Sequence, residues 1–212
     1  NKLLPAPSKV RKVKHHPALP YSEIGAFMAE LRQREAIAAR GLEFLILTAA
    51  RTGEVIGATW DEIDFADKAW TIPADRTKSD KEHHVPISPN AIEVLEGMRD
   101  VRQSDYIFPG NRAKSPLSNM AFLQLLKRMD RGDLTAHGFR SSFRDWAAER
   151  TNYPNEVAEM ALAHAIGDKV EAAYRRGDLF EKRRKMMDAW ADYCGTVHAD
   201  GADKVVPIRK DV

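Results

Sequence analysis

The chain has 212 residues, 43% hydrophobic and 30% charged, the balance of a globular domain long enough to build a core. A formal net charge of +2 means that any basic footprint for nucleic acid must be local. One cysteine, Cys194, excludes a disulfide framework and a zinc ribbon, and no run of about 18 apolar residues is present to span a membrane. The first residue is Asn1 and no signal-peptide pattern follows, so the chain reads as a piece of a longer protein working in a reducing cytoplasm.

Residues 1–20 place Pro5, Pro7, Pro17 and Pro20 among Lys9, Arg11, Lys12, Lys14, His15 and His16. The prolines deny a regular helix, so this stretch reads as a basic linker, either a solvated tail or a strap over DNA phosphates. From Ser22, the spacing of Ile24, Phe27, Met28 and Leu31 predicts an amphipathic helix with Ser22 as its N-cap. A second helix is expected from Glu35 to Ala50. It is apolar almost all round between Leu42 and Leu47 and belongs in the core. Arg51 follows where that helix stops, before a Thr52-Gly53 turn.

Next, Glu62–Phe65 and Trp70–Ile72 flank Ala66-Asp67-Lys68 as a hairpin, and His83–Ile87 makes a third strand. Pro86 marks that strand as an edge or its end. The polar loop Asp75–Lys81 puts Lys78 at or near the turn of a small three-stranded antiparallel β-sheet. Ser88-Pro89 opens a helix through Ile92, Leu95 and Met98. Tyr106–Pro109 is a short extended piece, and Ser118 is expected to cap a helix carrying Phe122, Leu125, Leu126 and Met129. Helices over 136–150, 155–164, 169–176 and 179–198 complete a mainly α chain. The last two open on Asp168-x-x-Glu171 and Asp178-x-x-Glu181, which resemble capping boxes. The tail from Ala199 carries an apolar run, Val205-Val206-Pro207-Ile208.

Within 136–150, an advance of about 100° per residue groups Phe139, Phe143 and Trp146 on a core face. His137, Arg140 and Arg144 fall on a neighbouring stripe, which presents an imidazole and a guanidinium together at a cleft edge. Taken alone, that stripe equally fits a solvated polar face. Arg51 equally fits a cation complementing a helix C-terminus, although a guanidinium after so buried a helix needs an anionic partner, and Glu54 is placed to be one. Lys78 and Lys81 fit a solvated turn, His164 a structural histidine, and Tyr174 a packing residue on a helix bracketed by Gly167 and Gly177. His83 and His84 are adjacent in a strand and so point to opposite faces, and no ligand spacing supports a metal.

The ordered set is more specific than its members. Arg51-x-x-Glu54, Lys78, His137-x-x-Arg140, His164 and Tyr174 resemble the tyrosine recombinase (phage integrase) catalytic domain in order and spacing, over roughly residues 20–198. The runs Gly138–Trp146 and Ala163–Leu179 are similar to integrases of prophages and genomic islands. Two positions depart from many relatives: Ala163 stands where glycine is common, and Ser141 where histidine is common.

The resemblance implies the fold of DNA breaking–rejoining enzymes, with residues 1–20 as interdomain linker, 21–198 as catalytic domain and 199–212 as a tail that docks on a neighbouring protomer. It implies a site-specific recombinase. Tyr174 would attack the scissile phosphate to give a 3′-phosphotyrosyl intermediate, and strand exchange and religation would follow. Arg51 and Arg140 would clamp the non-bridging oxygens, His164 would donate a further hydrogen bond, and His137 would take the phenol proton. Lys78 would protonate the leaving 5′-oxygen, and Glu54 would orient. It implies no cofactor and no metal. The partners would be double-stranded DNA attachment sites and a homotetramer on DNA, with a monomer in its absence, in the bacterial cytoplasm and away from membranes. The rival readings are a type IB topoisomerase-like nicking–closing enzyme and a catalytically silent DNA-binding module.

Overall fold

The computed structural model describes residues 17–112, 114–164 and 177–198. The expected helix over 169–176 with Tyr174, the Asp168-x-x-Glu171 box and the docking run Val205–Ile208 all lie outside these residues.

The chain enters the core through Leu19, which is 2% exposed, and a 3-10 turn, Tyr21–Glu23. Helix α1 (Ile24–Arg32) follows, burying Ile24, Phe27, Met28 and Leu31 as their spacing requires. Ser22 is not its cap: that residue lies inside the 3-10 turn, and Pro20 precedes the turn. Helix α2 (Ile37–Thr48) is the central element, touching α1 and, further along the chain, α3 (Thr52–Ile56), α4 (Pro89–Asp100), α5 (Ala121–Arg128), α6 (Gly138–Arg150) and α8 (Phe180–Gly195). Its run Leu42–Leu47 is buried all round. Glu43 sits inside that run and is held by Arg32 (2.6 Å) and Arg40 (2.8 Å), the pairing that a buried carboxylate requires.

The strands β1 (Ile63–Asp64), β2 (Ala69–Ile72) and β3 (His83–Pro86) form one antiparallel sheet in the order β1-β2-β3. Trp70 pairs with Ile63 and Val85, which lays one apolar face on the core, where Phe44 meets Trp70 at 5.4 Å between ring centroids. Pro86 is the last residue of the edge strand β3, where a missing N–H is tolerated. Ser88 caps α4 by accepting from the Ala91 N–H, with Pro89 at the first helical position. Ser118 does not cap α5, whose N-cap is Met120 in a helical conformation, so the turn before it already continues the spiral. Asp178 does accept from the Phe180 N–H at the start of α8, but Glu181 pairs with Arg184 instead of closing a box.

Helices α6 and α8 meet through aromatic rings, with Trp190 5.0 Å from Trp146 and 5.5 Å from Phe143. At the other end of α6, a Cβ on Gly138 would lie 2.2 Å from the Pro17 carbonyl oxygen. The entering segment 17–20 thus presses on the N-terminus of α6, and the Ser142 hydroxyl fastens it by donating to the Leu19 carbonyl. Helix α7 (Asn155–Ala161) packs between α6 and α8. Among the described residues no helix is long and apolar enough to cross a membrane.

Candidate active site

The site is built where four elements meet at the end of α7. Helix α2 stops because Ala49 turns left-handed (φ 50°), and two residues later Arg51 becomes the N-cap of α3. The Glu54 carboxylate takes both the Arg51 backbone N–H (2.8 Å, Oε2) and its Nη1 (2.7 Å, Oε1). Glu54 is itself buried, so this one carboxylate caps the helix and aims the guanidinium. The Arg51 Nη2 is thereby directed to the carbonyls of Leu162 (3.2 Å) and Ala163 (3.0 Å).

Helix α6 buries Phe139, Phe143 and Trp146, and this drives Arg140 inward as well, to 5% exposure. Its guanidinium donates to the carbonyl of Ala49 and to that of Leu162 (2.7 Å), and stands 3.4 Å from His164 Nε2. Helix α7 ends in a Schellman motif: Ala163 is left-handed (φ 48°), its N–H donates to Met160, and the His164 N–H donates to Glu159. The carbonyls that this motif leaves over are the ones the two arginines take.

A guanidinium N–H can only donate, so His164 Nε2 is the acceptor in its contact with Arg140, and Nδ1–H donates to Glu159 Oε2 at 2.7 Å. The Arg144 Nε holds the other oxygen of Glu159 at 2.8 Å. Burial, and then the neighbouring Arg51 charge, push the Arg140 guanidinium down to about 10. Burial acts to raise the Glu159 carboxyl, but the hydrogen bonds from Arg144 and His164 outweigh it and hold the group below its usual range. His83, turned inward toward the Ala161 carbonyl, is lowered to about 4, by burial first and the Arg183 charge second. His84 points the other way, to Glu82 at 2.8 Å, as alternation along a strand dictates.

Arg51, Glu54, Arg140 and His164 are therefore in mutual reach. His137 is exposed at the N-cap of α6, three residues before Arg140. Lys78 is exposed in the β2–β3 turn, which the Thr77 hydroxyl ties by donating to the Lys81 carbonyl (2.7 Å) and accepting its N–H (3.1 Å). Tyr174 lies outside the described residues. Sequence reasoning missed Glu159 and the inward role of His83. It also missed Arg76, which pairs with Glu62 and donates to the Glu54 carbonyl (2.6 Å), bracing α3 from the hairpin loop. A polar loop residue gives no signal of such a reach. Among the described residues no group of three or more His, Cys, Asp or Glu could hold a metal ion.

The sequence pattern of the Phage integrase family matches residues 18–179, which takes in every element of this site. The chain belongs to the phage integrase family. The prophage integrase IntA of Escherichia coli (strain K12) is 39% identical over 150 residues, covering 69% of this chain and 36% of that protein. The prophage integrase IntZ of the same organism is 31% identical over 202 residues, 94% of this chain and 50% of that protein. The chain thus spans half or less of the length of these two integrases. A lambda integrase tetramer bound to a Holliday junction shares the fold, with a TM-score of 0.58 at 16% identity over 75% of this chain and 50% of that one.

Proposed function

We propose that this chain carries the catalytic site of a site-specific DNA recombinase. The observation that carries the reading is the convergence of Arg51 and Arg140 on the last carbonyls of α7, with His164 beside Arg140. Two guanidiniums, Arg51 aimed by the Glu54 carboxylate and both held by backbone carbonyls, make a fork for an oxyanion, and Arg140 is lowered by its burial first and by the neighbouring Arg51 charge second.

In this reading the phosphate of a double-stranded attachment site sits on Arg51 and Arg140, with His164 against a non-bridging oxygen. The Tyr174 phenol, which ionises near 10 when unperturbed, loses its proton to His137 as its oxygen forms the bond to phosphorus. The phosphorus–O5′ bond breaks, and Lys78 protonates the leaving oxygen. The phosphodiester energy is kept in the tyrosyl ester, so religation reverses the step. Each positioned donor of this kind contributes about 3–4 kcal/mol to the transition state. Residues 21–198 act as the catalytic unit, 1–20 as a linker, and 199–212 as a segment that docks on a neighbour within a homotetramer on DNA. Membership of a family that includes prophage integrases supports action on DNA in a bacterial cytoplasm.

The test is incubation with a nicked half-site DNA whose 5′ product diffuses away. A protein–DNA adduct that survives denaturation is the expected result, and its absence with a cognate site contradicts the proposal.

A further inference from the structure

We propose that Glu159, held by Arg144, is a positioning residue that makes His164 act on the phosphate as a cation; this rests on the recombinase reading above. The four side chains form a clip between two helices. Arg140 and Arg144 lie one turn apart on α6, while Glu159 and His164 lie on either side of the α7 C-terminus. Arg144 donates to Glu159 (2.8 Å), Glu159 accepts from His164 Nδ1 (2.7 Å), and His164 Nε2 faces Arg140 (3.4 Å). The backbone reinforces the clip, because the Glu159 carbonyl accepts the His164 N–H at 2.9 Å.

The consequence is a matter of proton count. With Nδ1–H spent on Glu159, His164 Nε2 carries no proton while it accepts from Arg140. To donate to a phosphate oxygen the ring must take a second proton, from solvent, at Nε2. The imidazolium then lies between two anions, Glu159 and the phosphate. Arg140 and Arg144 on α6 and Arg51 at the start of α3 oppose that charge. So does Lys81, which lines the same cleft as His164, where Glu82, Asp178 and Glu181 act the other way; His83, lowered to about 4, is neutral between pH about 6 and about 8. Glu159 is the carboxylate in contact with the ring that offsets them, and Arg144 keeps it ionised. A carboxylate behind a metal-bound histidine fixes its tautomer, and its loss there costs about 10- to 100-fold in activity; the same contact to a phosphate-binding histidine is expected at the low end of that range.

The experiment compares E159Q with the unsubstituted chain in single-turnover adduct formation on the nicked half-site, from pH about 6 to about 8, alongside DNA affinity. Glutamine keeps the hydrogen bond to Nδ1–H but not the charge. The expected result is unchanged affinity, a rate lowered on the order of tenfold near pH 8, and a gap that narrows toward pH 6. If E159Q fails to bind DNA, R144Q decides, with a smaller loss expected in the same pH direction. A rate equal to the unsubstituted chain at every pH, or lowered by the same factor at every pH, overturns the role. Absence of adduct from the unsubstituted chain overturns the recombinase reading and this inference with it; adduct formation by it with no effect of E159Q overturns this inference alone.

Discussion

The Nη2 atoms of Arg51 and Arg140 donate to the same oxygen, the Leu162 carbonyl, at 3.2 and 2.7 Å. One arginine comes from the cap of α3 and the other from the body of α6, so the end of α7 is the common reference against which both are set. Helix-end carbonyls lack intrahelical donors, and here they hold two like charges together, with Arg140 lowered by its burial first and by the Arg51 charge second. An arrangement of this kind fits a doubly charged, planar recognition of phosphate better than a surface ion pair.

It follows that charge alone does not replace Arg51. A lysine keeps the positive charge but cannot bond Glu54, Leu162 and Ala163 together. Arg51→Lys should bind DNA within a few-fold of the unsubstituted chain and lose adduct formation by on the order of a hundredfold, as removal of an oriented oxyanion donor does. A gel-shift titration beside a suicide-substrate assay checks both halves; near-normal cleavage would remove Arg51 from the phosphate clamp.

Ala163 supplies a second test, because it occupies the left-handed position of the Schellman motif with φ 48°. A Cβ there costs about 1–2 kcal/mol, and glycine removes that cost while adding freedom to the unfolded chain. Ala163→Gly should stabilise the protein by about 0.5–1 kcal/mol in urea denaturation. A destabilised variant would show that the turn before His164 is not strained.

His83 makes stability depend on pH in a particular window. Its folded value of about 4 lies below the unfolded value near 6.5, so the unfolded chain takes up a proton that the native fold refuses. Its contribution is intact above pH about 6.5. It is lost as pH falls toward about 4, at up to about 1.4 kcal/mol per pH unit and on the order of 3 kcal/mol in all. His83→Gln should flatten this limb of the stability–pH curve. An unchanged slope would place His83 in solvent.

Much of the fold was legible because burial imposes periodicity. The run Leu42–Leu47 announced the central helix, the Phe139, Phe143 and Trp146 stripe fixed which way α6 faces, and Ser88-Pro89 marked the start of α4. The caps read at Ser22 and Ser118 failed for one shared reason: the chain enters each helix through a turn already coiled, so Glu23 and Met120 stand at the N-caps instead of the serines. In the site, Arg51-x-x-Glu54 was readable as a local ion pair. The partners that set Arg140 and His164 were not. Backbone carbonyls at Ala49 and Leu162 leave no trace in side-chain identity, and Glu159 lies five residues before His164 across a helix end, a spacing that no regular helix face produces.

The central claim is that the Arg51–Arg140–His164 fork serves a tyrosine nucleophile at position 174. Its most direct test is to trap the adduct on a nicked half-site, digest it and identify the peptide that carries the nucleotide, with Tyr174→Phe run in parallel. The account predicts label on the peptide containing Tyr174 and no adduct from Tyr174→Phe at unchanged DNA affinity. Label on any other residue, or a denaturation-resistant adduct from the phenylalanine variant, would contradict it.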